Sequence, residues 1–371
     1  MAFLDHIPPL EAMDLDGYFA TVTPDQVLAS IHRASRAQLD RDDFLNLISP
    51  AAESCLEEMA QRAQAITHQY FGRTILLFAP IYISDYCANH CSYCGFNTTS
   101  KFQRTQLTME EIEREARAIA ATGIRHILVL TGEAPAKTPM SYLRGAVEIL
   151  AKYFSSVALE IFPMSQADYG ILCDTGADAL TVYQETYDRE IYKQVHLAGR
   201  KADYGWRLGT PERGAAAGLR AVNIGPLFGL GRPRFEAFMT AMHARYLERE
   251  FPQVEVAVSL PRMTHAEGGI SPRNELSDLQ FVQFMLAFRL FMPRLGITVS
   301  TRERAKFRDR LVHLGVTKYS AGSHTDVGGY AVQEGETTPQ FEVTDTRSVA
   351  QVCAMIENSG HQPVFKDWEI F

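Results

Sequence analysis

The chain has 371 residues, enough for one large α/β domain or two ordinary ones, and its 46% hydrophobic and 22% charged residues are those of a globular protein. A formal net charge of −8 argues against a phosphate-backbone partner, and so against nucleic acid, while leaving room for a local basic pocket. No apolar run approaches the roughly 20 residues of a membrane span, and Met1-Ala-Phe-Leu-Asp-His-Ile-Pro-Pro9 has neither the basic region nor the long apolar core of a signal peptide, so we expect a cytoplasmic protein with reduced cysteines and no membrane contact.

Residues 1–73 read as a helical extension. Thr23-Pro-Asp-Gln26 combines an N-cap, a proline at the first helical position and a capping box. Helical spacing of apolar residues then runs from Val27 to Ala37, and a second helix is expected over about Pro50 to Tyr70. From residue 74 short apolar runs alternate with amphipathic helices. The expected strands are Ile75–Ile83, Ile127–Leu130, Val157–Ile161, Ala179–Tyr183, Ala221–Ile224, Val254–Ser259, Ile297–Val299 and Thr317–Tyr319. Between them, Thr108-Met-Glu-Glu111 opens a helix ending near Gly123, and further helices cover Tyr142–Tyr153, Phe235–Glu248, Leu279–Phe291 and a stretch reaching Leu314. Eight strands alternating with helices imply a parallel sheet closed into a (β/α)8 TIM-type barrel over 74–330, followed by a short C-terminal segment, 331–371, packed on it. Residues just after the strands would share one rim, so the loop after the first strand, Glu133, Gln184, Arg262, Arg302 and Ser320 are expected to face one cavity.

The loop after the first strand holds Cys87, Cys91 and Cys94, three of the six cysteines within eight residues. A C-x3-C-x2-C spacing can hold three corners of a cubane iron–sulfur cluster, which ordinarily takes four cysteines. The fourth iron would be left open for chemistry. The plainer readings fit less well. Cys55, Cys173 and Cys353 are isolated, and a disulfide framework suits a short secreted chain. A structural zinc site pairs its C-x2-C with a second ligand pair, and none stands out here.

Cys87-x3-Cys91-x-Tyr93-Cys94 resembles the signature of the radical S-adenosylmethionine (SAM) enzymes. Tyr86-Cys-Ala-Asn-His-Cys-Ser-Tyr-Cys-Gly-Phe96, Thr131-Gly-Glu133, Val182-Tyr-Gln-Glu-Thr-Tyr187, Ser300-Thr-Arg-Glu303, Gly328-Gly-Tyr330 and Pro363-Val-Phe-Lys-Asp-Trp368 together resemble the tyrosine lyases of thiamine biosynthesis, the 2-iminoacetate synthases. The resemblance implies a [4Fe-4S] cluster on the three cysteines and SAM chelated to the open iron. It also implies reductive cleavage of SAM to methionine and a 5′-deoxyadenosyl radical. The substrate would be L-tyrosine, cleaved at Cα–Cβ to p-cresol and 2-iminoacetate, which makes the chain a carbon–carbon lyase. Thiazole synthase and a one-electron donor such as flavodoxin or ferredoxin are the implied partners.

The same resemblance implies the site residues. Tyr93 sits where the family has an aromatic near the adenine, although plain packing also suits it. Gly132 and Glu133 match the motif that receives the SAM ammonium; the simpler alternative for Glu133 is an exposed strand end. Glu160, Gln184, Thr186 and Arg207 are candidates for ribose, methionine and carboxylate contacts, with a solvated loop or a core hydrogen bond as the alternative. Arg302 is the expected substrate ligand, because a guanidinium fork grips a carboxylate in two places. Thr298 and Ser300 alternate with it on one face of the same strand. A surface pair between Arg302 and Glu303 is the competing explanation. Gly328-Gly329 is expected to form a close-packed loop over the mouth. Three other functions compete. The hydrogenase-maturing tyrosine lyase carries further C-terminal cysteines, whereas Cys353 is the only late one here. A tryptophan lyase shares the core with a different aromatic pocket. A zinc-stabilised barrel would bind a partner without catalysis.

Overall fold

Strand β1, Thr74–Ser84, turns its even-numbered residues one way and its odd-numbered residues the other, as the pleat requires. Ile75, Leu77, Ala79, Ile81 and Ile83 are buried against helices, while Thr74, Leu76, Phe78, Pro80 and Tyr82 line an interior cavity. In the computed structural model, which describes residues 2–34, 36–264, 266, 269–332 and 339–366, seven more strands repeat this division. They are β2 (His126–Thr131), β3 (Ser156–Glu160), β4 (Ala179–Glu185), β5 (Ala221–Pro226), β6 (Glu255–Ser259), β7 (Gly296–Val299) and β8 (Lys318–Ser320). All pair in parallel with their neighbours, and β8 returns to β1 through Leu76↔Lys318, which closes the barrel. No helix among the described residues is long and apolar enough to cross a membrane.

Barrels of this kind usually fill their interior with layers of bulky side chains. Here the inward positions are mostly small: Ser156 and Ala158 on β3, Ala179 and Thr181 on β4, Ala221 and Asn223 on β5, Ala257 on β6 and Gly296 on β7. The result is a continuous cavity of about 850 Å³ running the length of the barrel. At the C-terminal ends of the strands Tyr82, Glu160, Tyr183 and Arg302 enter it, and at the opposite end His126, Arg220 and Lys318 line it.

The N-terminal helices wrap the outside of this barrel. The helix opened by Thr23 spans Pro24–Arg33 and stops sooner than the apolar spacing suggests. The expected helix from Pro50 starts as a 3-10 turn, Pro50–Cys55, before Leu56–Phe71 continues as α-helix. Both this helix and Arg41–Ile48 pack on the barrel helix Asp278–Phe291, which explains why that helix is apolar nearly all round. Phe44 meets Phe288 and Phe291 at ring-centroid distances of 5.4 and 4.9 Å, and buried Gln283 donates to the carbonyls of Leu47 and Ser49.

The chain's last strand, β9 (Gln362–Val364), follows a helix, Val349–Asn358, and pairs with Thr74–Leu76, covering the part of the β1 edge that β2 does not reach. Asp367 and Trp368 of the C-terminal motif lie outside the described residues. The Gly328-Gly329 loop is anchored through the residues that follow it. Buried Glu115 accepts the N–H groups of Tyr330, Ala331 and Val332, and the Tyr330 hydroxyl donates to the Pro80 carbonyl, so the loop is clamped between β1 and the helix Met109–Ala121.

Candidate active site

The cysteine loop leaves the end of β1 and is tied down at several points. His90–Cys91 pairs antiparallel with His196–Ala198 in a two-stranded ribbon. Ser92 N donates to Val195 O and Ala88 N to Glu133 O, each within 2.9 Å. Asn89, inside the C-x3-C spacing, donates from its amide to Glu133 Oε2 at 2.6 Å and accepts the Lys201 N–H at 3.0 Å. Gly132 is needed because a Cβ there would lie 2.4 Å from the Tyr86 carbonyl oxygen and 3.0 Å from Cys87 Cβ. The loop and the β2 end therefore form one rigid unit.

All three loop cysteines are free thiols. Burial pushes Cys91 up to about 12 and raises Cys94 as well, with the ammonium of Lys201 pulling both the other way. No set of three or more His, Cys, Asp or Glu among the described residues is arranged to hold a single metal ion. Close by, Glu185 receives Lys201 at 2.6 Å and Arg207 at 3.4 Å, all three nearly buried. Burial works against the Glu185 carboxylate, but Lys201 and Arg207 outweigh it and its pKa is lowered. Glu185 has φ +71°, a left-handed conformation costly for a side-chain-bearing residue, at the point where β4 slips register against β5. That strained turn aims its carboxylate at the two cations.

Tyr93 packs into this cluster. Its hydroxyl meets His196 Nε2 at 2.8 Å, and its ring lies 5.5 Å from Lys201 Nζ. His196 Nδ1 faces the Tyr192 carbonyl at 3.0 Å, so that nitrogen carries the proton and Nε2 accepts from Tyr93. Burial, assisted by Lys201, lowers His196 to about 3, which keeps the ring neutral.

Several buried side-chain atoms here lack hydrogen-bond partners among the described residues, Ser92 Oγ and Thr131 Oγ1 included. Glu133 Oε1 is buried without a hydrogen bond, and so are both amide atoms of Gln184. Buried polar atoms are almost always satisfied, and a ligand with an ammonium and other polar atoms supplies what is missing. The donor set therefore fits an iron–sulfur cluster on Cys87, Cys91 and Cys94 with SAM beside it.

The other expected residues divide. Thr298, Ser300 and Arg302 all line the barrel cavity, as does Glu160, whose carboxyl burial raises to about 7 against the pull of Arg302. Arg302 stacks on the Phe341 ring at 3.3 Å and bonds Thr264 Oγ1 at 3.3 Å, with no carboxylate partner among the described residues. Glu303 pairs with Arg262 instead, which excludes an Arg302–Glu303 pair. That pairing, with a second bond to Asp278, also takes Arg262 away from the cavity it was expected to face. The cysteines, Glu133 and Gln184 sit beside the cavity rather than in its wall. Thr186 is not free for a ligand: its hydroxyl donates to Glu236 at 2.5 Å and accepts from Asp188 N, within a buried network that also fixes Tyr187 N. Arg207 spends its Nε on the Tyr183 carbonyl at 2.7 Å.

Sequence reasoning missed Tyr82, Tyr183, Asn89, Glu185, Lys201, His196, Gln340 and Phe341. Strand alternation could have pointed to Tyr82 and Tyr183. Asn89 lies inside the cysteine spacing and Glu185 directly after Gln184, whereas Lys201, His196, Gln340 and Phe341 are brought in by segments distant in sequence.

Residues 81–241 match the Radical SAM superfamily, and residues 259–362 match the Biotin and Thiamin Synthesis associated domain. The chain is 41% identical over 345 residues to the 2-iminoacetate synthase of Escherichia coli (strain K12), covering 92% of this chain and 91% of that protein. It is likewise 41% identical over 343 residues to the 2-iminoacetate synthase of Salmonella typhimurium (strain LT2), with the same coverage. The crystal structure of HydG, a maturase of the FeFe-hydrogenase, superposes with a TM-score of 0.90 at 31% identity, over 95% of this chain and 79% of that one.

Proposed function

The chain belongs to the 2-iminoacetate synthases of the radical SAM superfamily, and we infer that it cleaves the Cα–Cβ bond of L-tyrosine to 2-iminoacetate and p-cresol for the thiazole of thiamine. SAM is consumed to 5′-deoxyadenosine and methionine. The carrying observation is 41% identity across 92% of the chain, in a barrel whose three-cysteine loop stands beside a cavity holding Arg302, which makes no carboxylate salt bridge among the described residues.

When bound, the [4Fe-4S] cluster and SAM supply the one-electron chemistry. The chain's own part is to bind, orient and shield. On this reading Cys87, Cys91 and Cys94 hold the cluster, and Gly132 allows the loop to approach β2. The unpartnered Glu133 oxygen takes the SAM ammonium, Gln184 satisfies its amide on the same ligand, and Tyr93 packs near the adenine. We assign Glu160 to a SAM hydroxyl contact at the cavity wall. Arg207 supports the site through Glu185, and Thr186 through Glu236. Arg302 grips the tyrosine carboxylate, held flat by Phe341, with Thr298 and Ser300 lining the same wall. The barrel walls limit the access of water to the reacting atoms.

Thiazole synthase as recipient of the imine, flavodoxin or ferredoxin as electron donor, and a cytoplasmic location belong to the same proposal. The test is anaerobic incubation of the reconstituted chain with SAM, dithionite and L-tyrosine, assayed for p-cresol, with L-tryptophan in parallel. We expect p-cresol from tyrosine and no cleavage of tryptophan; 5′-deoxyadenosine without p-cresol would overturn the substrate assignment.

A further inference from the structure

Gln340 bridges the cysteine loop and the wall of the barrel cavity. Its Nε2 lies 3.9 Å from Cys94 Sγ, within the longer hydrogen-bonding reach of sulfur, and its Oε1 accepts the Tyr82 hydroxyl at 2.8 Å. Tyr82 is only 3% exposed and stands in the cavity wall. The backbone is fixed as well. Gln340 N donates to Thr325 O at 3.0 Å, and a Cβ on Gly95, the residue after Cys94, would lie 3.0 Å from the Gln340 carbonyl oxygen. The Tyr82 hydroxyl occupies the oxygen end of the amide, which leaves the NH2 end toward the sulfur.

We propose that Gln340 is a positioning residue that holds a hydrogen-bond donor on the Cys94 sulfur and thereby sets the reduction potential of the cluster, with Tyr82 orienting the amide. The inference rests on the reading of Cys94 as a cluster ligand. Hydrogen bonds to cluster sulfurs tune the potential, because a donor stabilises the extra negative charge of the reduced state more than that of the oxidised state. Removing the donor makes reduction harder.

The experiment is a redox titration of the anaerobically reconstituted full-length chain, following the electron paramagnetic resonance signal of the reduced cluster in wild type, Gln340→Met and Tyr82→Phe. Gln340→Met keeps the length of the side chain and loses the donor, so its midpoint should fall. A tenfold change in the reduction equilibrium corresponds to about 59 mV for one electron. Tyr82→Phe leaves the amide in place but unoriented, so its midpoint should fall by less. A wild-type midpoint in Gln340→Met with full iron and sulfide content overturns the proposal. Should Gln340→Met fail to take up the cluster, Tyr82→Phe decides: a lowered midpoint supports the proposal and an unchanged one overturns it. A wild-type chain that takes up no four-iron cluster would instead overturn the functional reading. One that forms p-cresol while its potential ignores both substitutions overturns this inference alone.

Discussion

The Asn89 amide donates to Glu133 Oε2 at 2.6 Å, fastening the middle of the cysteine loop to the carboxylate at the end of β2. Glu133 is thereby held with its other oxygen unbonded and buried. Asn89→Ala releases that carboxylate while leaving the three thiols in place. A hydrogen bond to a charged group contributes about 1.5–3 kcal/mol. SAM affinity, measured by equilibrium dialysis on the reconstituted chain, should therefore weaken by about ten- to a hundredfold, with iron content near that of wild type. Unaltered SAM affinity would detach Glu133 from the SAM site.

Cys87→Ala, Cys91→Ala or Cys94→Ala leaves two thiolates for a group that needs three. Each substitution should abolish iron and sulfide retention and release of 5′-deoxyadenosine. Cys55 packs among the N-terminal helices, while Cys173 and Cys353 sit on the helices Gln166–Thr175 and Val349–Asn358, away from the loop. Alanine at those positions should leave the cluster loaded. Full SAM cleavage in any one of the three loop variants sinks the assignment.

The barrel was readable because each strand is a short apolar run bounded by helix signals, and parallel strands buried on both faces look like that. Its cavity was readable in part: small residues recur at the inward positions, but only the known register shows which positions those are. The helix Gln166–Thr175 escaped notice although Ser165 and Asp168 form a capping box, because it lacks a clear apolar stripe. The C-terminal strand Gln362–Val364 is three residues long and pairs with a segment almost 290 positions earlier, a contact no local pattern carries. The same holds within the site. Cys87, Cys91 and Cys94 announce themselves by spacing, whereas Lys201 and His196 arrive through a ribbon formed with His90–Cys91. Arg262 was misplaced because a strand-end arginine is compatible with either a cavity or an ion pair, and Glu303 decides for the pair.

Arg302→Lys tests the substrate ligand. Lysine keeps the charge but loses both the fork and the flat face that stacks on Phe341 at 3.3 Å. With no carboxylate partner among the described residues, Arg302 is available to a tyrosine carboxylate. The KM for tyrosine should rise by about tenfold or more, the equivalent of one charge-assisted hydrogen bond, while SAM binding is unchanged. An unaltered KM would remove Arg302 from the substrate site.

Glu160 gives the cavity a pH signature. Its carboxyl is raised from 4.5 to about 7, chiefly by burial, with Arg302 opposing. Between those two values the folded chain holds a proton that the unfolded chain has released. Stability therefore falls as pH rises through this window and levels off above about 7, a loss of at most about 3 kcal/mol. Glu160→Gln removes the titration. Glu236, also raised to about 7, is present in both proteins and cancels from the comparison. Urea unfolding of the cluster-free chain should show similar stabilities for wild type and Glu160→Gln near pH 4.5, and a more stable variant at pH 8. Equal stabilities at pH 8 would mean that the Glu160 carboxylate is already compensated in the folded chain, by Arg302 before all, and that this arginine is then less available to a substrate than its geometry indicates.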